Sequence, residues 1–407
     1  MRIMFVSNLY PPNQVGGYEE LCWEVASQFV TRGHEVSVLT SANGGKICEW
    51  PGQNISQALR LLVGKTVYDN YDGPAFRRET ICAQNRYNLI EAVSKTQPDV
   101  IFCWNLHGLG TDFFDTLAGL SIPVVAMLTD NWLSAMLNSK FVGRFFRNAV
   151  YGKGNEAKYL SQDITPKPIS ANVSAIFGSH FMERFYAASG LKFQQSSVVH
   201  NGVNLPSLQT HRSKEIAANR VDLLFAGRVV EIKGAHTAIG ALGRLVKLRP
   251  ETDWNLNMVG DTRDAPYLQR LHQEAKNNGV AERVTFSGRV AARDLTELFE
   301  RHDIYLFPSL YEPFSLTLIH AMASGIPTVA SDIGGNGEIV REGVTGLLFA
   351  KADVDAMAKA VIRLVDDPAL ARRLGQAGAK RACNFSTEKM IDAMEHHLIG
   401  RVGGANA

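Results

Sequence analysis

Residues 308–327 read Pro308-Ser309-Leu310-Tyr311-Glu312-Pro313-Phe314-Ser315-Leu316-Thr317-Leu318-Ile319-His320-Ala321-Met322-Ala323-Ser324-Gly325-Ile326-Pro327. The apolar run Ile304–Phe307 just ahead has the length of a buried strand, and residues 315–324 carry helical spacing that Gly325 and Pro327 stop. Glu312 therefore falls in a strand-to-helix loop. Main-chain N–H groups at Phe314, Ser315 and Leu316 open the helix without intrahelical acceptors, and the helix dipole favours negative charge there. A carboxylate beside an anion seat suits a polyhydroxyl ligand that carries phosphate. Read alone, Glu312 is equally a solvated turn acid ahead of a capped helix, so its neighbours decide.

Strand-like apolar runs alternate with helical patterns at residues 3–6, 36–39, 100–103 and 124–128, and again at 223–225 and 256–259. That alternation predicts α/β architecture with parallel sheets flanked by helices. A chain of 407 residues exceeds what one hydrophobic core usually spans, and its 45% hydrophobic content can fill two. The pattern breaks in the polar, aperiodic stretch Pro206-Ser207-Leu208-Gln209-Thr210-His211-Arg212-Ser213-Lys214. The expected organisation is a doubly wound, Rossmann-like domain over 1–205, a linker over 206–220, a second such domain over 221–385, and a closing segment over 386–407. Its helix is expected over about 387–399, with a frayed tail from Gly403 onward. Two facing domains of this type would hold ligands at the carboxyl ends of their strands, in the cleft between them.

Gly227-Arg228 follows the strand at 223–225, and Lys233-Gly234 closes the same loop before a helix that begins near Ala235. Arginine brings a planar fork and lysine a compact charge, a pairing that suits a diphosphate and the charge developing on a leaving nucleotide. The plainer alternative is a solvated basic turn. Gly16-Gly17 ends a long loop from Asn8 and opens a helix that runs to about Thr31. It does not match Gly-x-Gly-x-x-Gly, which argues against an NAD enzyme. The strand at 100–103 releases Asn105 and His107 at its carboxyl end, and the strand at 124–128 delivers Thr129-Asp130-Asn131-Trp132 to the same edge. Asp130 is a candidate sugar or acceptor contact, or else a cap for the next helix. Asp353-Val354-Asp355 looks like an acidic metal pair, yet it stands ahead of a helical run where acids complement the dipole, and it is read as a cap.

Together, the Glu312 segment, the loop at 227–234 and the Gly16-Gly17 pair resemble the signature of retaining GT-B glycosyltransferases of family four, the group 1 glycosyl transferases. The resemblance spans almost the whole chain, with Val259-Gly260-Asp261, Gly288-Arg289-Val290 and Gly334-Gly335-Asn336-Gly337-Glu338 in the places of further family loops. It implies the GT-B fold and transfer of a sugar from a UDP- or GDP-sugar to an acceptor left unidentified, with retention at the anomeric carbon and without metal or cofactor. In that scheme Arg228 and Lys233, with the amides at Phe314, Ser315 and Leu316, stabilise the leaving diphosphate, and Glu312 orients donor hydroxyls. Gly227 belongs to the phosphate loop, Arg289 and Val290 neighbour the base, and Gly16 and Gly17 let bare backbone approach donor phosphate and acceptor. Asn105, His107 and Asp130 fall to the sugar and acceptor side. The departing phosphate oxygen takes the acceptor proton, so no side chain need act as general base. The chain departs from the pattern at two places. A second family Glu, eight residues after the first and a ribose-diol ligand, is His320 here, and Thr129 stands where many members have His. A neutral imidazole has one donor and one acceptor and cannot reproduce a carboxylate's clamp on a diol.

The formal charge of +2, from 42 basic and 40 acidic residues, makes no electrostatic case for nucleic-acid binding. Five scattered cysteines, without a Cys-x-x-Cys pair, suggest neither a disulfide framework nor a zinc knuckle and fit a reducing cytoplasm. No apolar stretch approaches the ~20 residues that cross a bilayer. Residues 140–158 interleave Lys140, Arg144, Arg147, Lys153 and Lys158 with Phe141, Phe145 and Phe146. They read as a solvated helix with a buried aromatic face, or as a basic face in peripheral contact with anionic lipid on the inner side of the membrane. No protein partner is indicated. Two other functions stay open: a nucleotide-sugar epimerase on the same plan, and a glycosyltransferase homologue that binds sugar nucleotides without turnover, the latter motivated by His320 and Thr129.

Overall fold

The computed structural model describes residues 1–14, 16–46, 48–67, 69, 71–161, 165–205, 216–217 and 219–404, so most of the stretch 206–220 lies outside the described residues. The chain divides into two compact units. One comprises Met1–Phe146, Ala157–His200 and Met390–Ala407, and the other Arg147–Glu156 and Asn201–Lys389.

The first unit contains β1 (Arg2–Val6), β2 (Glu35–Ser41), β3 (Gln53–Leu59), β4 (Val100–Cys103), β5 (Val124–Leu128), β6 (Lys167–Pro168), β7 (Val173–Phe177), β8 (Leu191–Lys192) and β9 (Ser196–Val198). Strands β6 and β8 pair with each other, while the other seven form a parallel sheet in the order β3-β2-β1-β4-β5-β7-β9. β4, β5 and β7 are buried throughout, as mostly apolar strands covered on both faces by helices should be. Phe5 packs 6.0 Å from Phe29 of the helix Gly17–Thr31 and 5.4 Å from Phe102 of β4, in tilted and edge-on geometries that suit aromatic quadrupoles.

The helix Thr387–Gly404 sends Met390, Ile391, Met394 and Leu398 into this same core. Arg32 meets Asp392 at 2.6 Å and Glu395 at 2.5 Å beside them. Gly403 and Gly404 are helical rather than frayed, and residues 405–407 lie outside the described residues. The stretch 140–158 is not one helix. It is split into Ser139–Phe145, a π turn Phe146–Val150 and the start of Glu156–Leu160. Phe141 and Phe145 are buried 5.3 and 5.0 Å from Phe185, so the aromatic face packs inward. Among the described residues no helix is long and apolar enough to cross a membrane.

The second unit contains β10 (Arg220–Ala226), β11 (Asp253–Val259), β12 (Val284–Gly288), β13 (Ile304–Phe307), β14 (Thr328–Ser331) and β15 (Leu347–Phe349), all parallel, in the order β12-β11-β10-β13-β14-β15. Helices Ala235–Leu248 and Val354–Asp366 bury Ile239, Leu242, Leu245, Met357, Val361 and Leu364 in its core. Asp353 caps the latter helix, accepting from Ala356 N at 2.8 Å, and Asp355 pairs with Arg244 at 2.8 Å, so this acidic pair is structural. In each sheet the strand order reverses once, between β1 and β4 in the first unit and between β10 and β13 in the second. Loops leaving the carboxyl ends at such a reversal diverge to opposite faces and open a crevice.

Candidate functional site

At the reversal in the second unit, the loop after β10 meets the loop after β13. Lys233 closes a 3-10 turn, and Gly234 follows with a φ of 70°. A Cβ on Gly234 would run into the carbonyl oxygen of Pro308, so glycine is what lets the two loops touch. Leu310 N then donates to Ile232 O at 2.8 Å. The same docking pairs Lys233 Nζ with Glu312 Oε2, with side-chain exposures of only 20% and 8%. On its other side the Glu312 main chain is gripped by the loop after β14, where Gly335 N donates to Glu312 O at 2.9 Å. Gly334, with a φ of 54°, lies against the same carbonyl and has no room for a Cβ.

The helix Leu316–Ala323 starts immediately beyond this carboxylate. Ser315 is its N-cap, with Oγ accepting from Leu318 N at 3.1 Å. The N–H groups of Ser315 and Leu316 have no acceptor among the described residues. Phe314 is buried edge-on against Phe385 at 5.5 Å, which fixes the end of the loop. Arg228 is exposed, and its guanidinium has no hydrogen bond or ion pair among the described residues. Gly227 N donates to Val259 O at 2.9 Å and Gly260 N to Gly288 O at 2.7 Å, tying the ends of β10, β11 and β12 into one tier. Arg289 is exposed at the end of that tier, and Val290 packs against the core beneath. His320 is half-buried on the helix, and burial pushes its imidazole below the ordinary range, so it is neutral at pH 7. One surface thus gathers an unpaired cation, a lysine–carboxylate pair and free main-chain donors. That set can hold a ligand with both anionic groups and hydroxyls.

In the first unit the reversal joins the loops after β1 and β4. Asn8 N donates to Asn105 O at 2.6 Å, Asn8 Nδ2 to His107 O at 3.2 Å, and His107 N to Asn105 Oδ1 at 2.9 Å. The side-chain oxygen of Asn105 is therefore committed to shaping the turn. His107 is half-buried, and burial lowers its pKa. Gly16 N donates to Glu19 Oε2 at 3.1 Å, and Gly17 begins the helix. Among the described residues, a Cβ on either glycine would meet nothing within 4 Å. Bare backbone at this edge leaves space for something outside the chain.

Asp130 Oδ1 accepts from Trp132 N at 2.9 Å in a local turn ahead of the helix Trp132–Leu137, whose N-cap is Asn131, while burial pushes its carboxyl up to about 6 with a contribution from the nearby charge of Glu19. Buried Glu19, Tyr18, whose hydroxyl donates to Met127 O at 2.6 Å, and Asn8 were not singled out from the sequence. The spacing of Glu19 three residues after the N-cap Gly16 is the available signal, since a carboxylate there can reach back to the N-cap amide.

Residues 207–381 match the family model for Glycosyl transferases group 1, and residues 15–206 match that for Glycosyltransferase Family 4. A glycogen synthase of Mycobacterium tuberculosis is 26% identical over 398 residues, covering 94% of this chain and 90% of its own. A D-inositol 3-phosphate glycosyltransferase of Streptomyces scabiei is 26% identical over 442 residues, covering 99% and 93%. In fold, the chain is similar to sucrose-phosphate synthase from Thermosynechococcus elongatus, with a TM-score of 0.75, 21% identity and full coverage of both chains. HepE of Anabaena in complex with UDP and glucose aligns with a TM-score of 0.68 and 20% identity over 98% of this chain and 100% of its own. The two family models tile the chain from residue 15 to residue 381, one on each half of a pair of Rossmann-like units, and the chain belongs to the group 1, family 4 glycosyltransferases of GT-B fold.

Proposed function

We propose that this glycosyltransferase moves a hexosyl group from a nucleotide-diphosphate sugar to an acceptor with retention of configuration, the second unit holding the donor and the first the acceptor. The observation that carries the reading is the Lys233–Glu312 pair at the β10/β13 reversal, flanked by exposed Arg228 and the free amides of Ser315 and Leu316. As the donor's C1–O bond to the diphosphate breaks, an acceptor oxygen bonds to C1 on the same face, and the acceptor proton passes to the departing phosphate oxygen. Arg228, Lys233 and the amides stabilise the charge that develops on the leaving diphosphate, and Gly227 keeps that loop close. Glu312 accepts hydrogen bonds from donor hydroxyls and holds C1 in place. Arg289 and Val290 border the base, and His320 gives the ribose at most one donated and one accepted bond. Gly16 and Gly17, with Asn105, His107 and Asp130, serve the acceptor side. No step calls on a metal, so turnover should survive EDTA.

HepE has been solved with UDP-glucose, which makes that donor the first to try. The relatives' names point to unlike acceptors, a glycan and D-inositol 3-phosphate, so both classes belong in an acceptor screen. Burial of Phe141 and Phe145 leaves the stretch 140–158 without the exposed aromatic face that lipid contact would use. The test is a thermal-shift screen of UDP- and GDP-sugars, in which a bound donor stabilises the fold by mass action, followed by transfer assays. Release of nucleoside diphosphate with a glycoside of unchanged anomeric configuration supports the proposal. An inverted product removes retention, an interconverted donor indicates an epimerase, and binding without turnover indicates a non-catalytic homologue.

A further inference from the structure

Residues Arg147–Glu156 interrupt the first unit in sequence but belong to the second by packing. Contacts at both ends and near the middle fix where this strap lies. Lys351, just past the carboxyl end of β15, gives its ammonium to the main-chain oxygens of Ala149, Val150 at 3.0 Å and Gly152 at 3.1 Å. That uses all the donors the ammonium has. At the strap's far end, Glu156 Oε1 accepts from Gly334 N at 3.1 Å, in the loop after β14. Within the span gripped by Lys351, burial and then the charge of Glu231, in the loop after β10, raise the Tyr151 phenol. Because β10, β14 and β15 are parallel members of one sheet, these anchors share its carboxyl edge. β13, whose loop carries Glu312, stands between β10 and β14.

We infer that this strap is a positioning element of the donor site, in which Glu156 holds Gly334 and through it sets the Glu312 carboxylate. The path is short. Glu156 fixes the Gly334 amide, Gly334 lies against the Glu312 carbonyl, and the next amide, Gly335 N, donates to that carbonyl at 2.9 Å. Lys351 clasps the strap and interacts electrostatically with Glu156, so the carboxylate is presented at one place. Glu312 is thus held by Lys233 at its side chain and by the strap, through the glycine pair, at its main chain. The inference rests on the donor reading of the second unit.

The test uses the full chain with Glu156→Ala, Glu156→Gln and Lys351→Met, and takes UDP-glucose and GDP-mannose as probes. Hydrogen exchange at Gly334 and Gly335 is read alongside probe affinity, probe hydrolysis kinetics and the unfolding midpoint. Glu156→Ala should speed exchange at Gly334 and raise donor KM about tenfold, the loss expected for a hydrogen bond to a charged group, with kcat within about twofold. Glu156→Gln keeps an acceptor oxygen and should restore most of the affinity, while Lys351→Met should reproduce the KM rise. Unchanged exchange at Gly334 overturns the inference. So does faster exchange with donor KM unmoved, or a parallel fall of kcat, affinity and stability in the Ala and Gln variants alike. If the unaltered chain neither binds nor hydrolyses either probe while exchange still responds to Glu156→Ala, the donor reading itself fails and the strap's role falls with it.

Discussion

Replacing Lys233 by Met removes the cation paired with Glu312, whose side chain is 8% exposed, and leaves a carboxylate held out of water without its partner. Breaking a buried pair in this way costs about 3–5 kcal/mol. The lower end, about 3 kcal/mol, applies because Lys233 is 20% exposed and water can reach part of the gap. Glu312→Gln should cost less, about 1 kcal/mol, since the amide oxygen still accepts from Lys233 and the ammonium can turn toward solvent. In the double variant neither charge remains stranded. Its cost should fall short of the sum of the singles by about 2 kcal/mol, the size of coupling seen between residues in contact. Guanidinium unfolding followed by circular dichroism, with a separate transition allowed for each unit, measures all three. In a thermal scan, Lys233→Met should lower the transition of the second unit by roughly 6–12 °C. A coupling below about 0.5 kcal/mol, or a Glu312→Gln variant less stable than Lys233→Met, would refute the reasoning. Donor affinity should fall in both single variants.

Gly17→Ala should leave stability unchanged or raise it by up to about 1 kcal/mol, because a Cβ there meets nothing among the described residues and alanine favours a first helical turn. Transfer activity should drop nonetheless, and retained activity would remove the ligand role of this glycine. Burial raises the Asp130 carboxyl from 3.8 to about 6. Its ionisation therefore costs the folded state nothing below about pH 4 and progressively more as pH rises through 6. Asp130→Asn, which still accepts from Trp132 N, should match the parent near pH 4 and exceed it by up to about 3 kcal/mol at pH 8. A difference that stays constant across that range would count against burial of the charge. Gly334→Ala forces a left-handed φ of 54° onto a residue with a Cβ and presses that atom on the Glu312 carbonyl. It should cost at least about 1–2 kcal/mol and weaken donor binding; donor affinity equal to the parent's would show that this loop does not set Glu312.

The apolar runs singled out from the sequence all fall inside strands, and Ile304–Phe307 matches β13 at both ends. They were legible because strands buried on both faces are written as continuous apolar residues. β3, Gln53–Leu59, was not legible, since a polar edge strand lacks that signature and is defined by its pairing with β2. The helix after Glu312 was bounded by Ser315 and Gly325, residues whose local chemistry starts and stops a helix wherever it lies in a fold. Asp353 caps its helix by the same local chemistry.

Periodicity, caps and loop residues are local, so the sequence by itself determined the α/β class, the strands that carry the core, and the loops bearing Arg228, Lys233 and Glu312. What those residues touch is not local. Strand order brings the loop after β10 to the loop after β13, and only then does Gly234 meet Pro308 and Lys233 meet Glu312 across 79 residues of chain. The tertiary structure alone gave Asp130 its raised pKa, because desolvation exists only once the surrounding elements have packed. It alone joined Glu156 to Gly334, 178 positions away, for which no pattern in either segment gives notice.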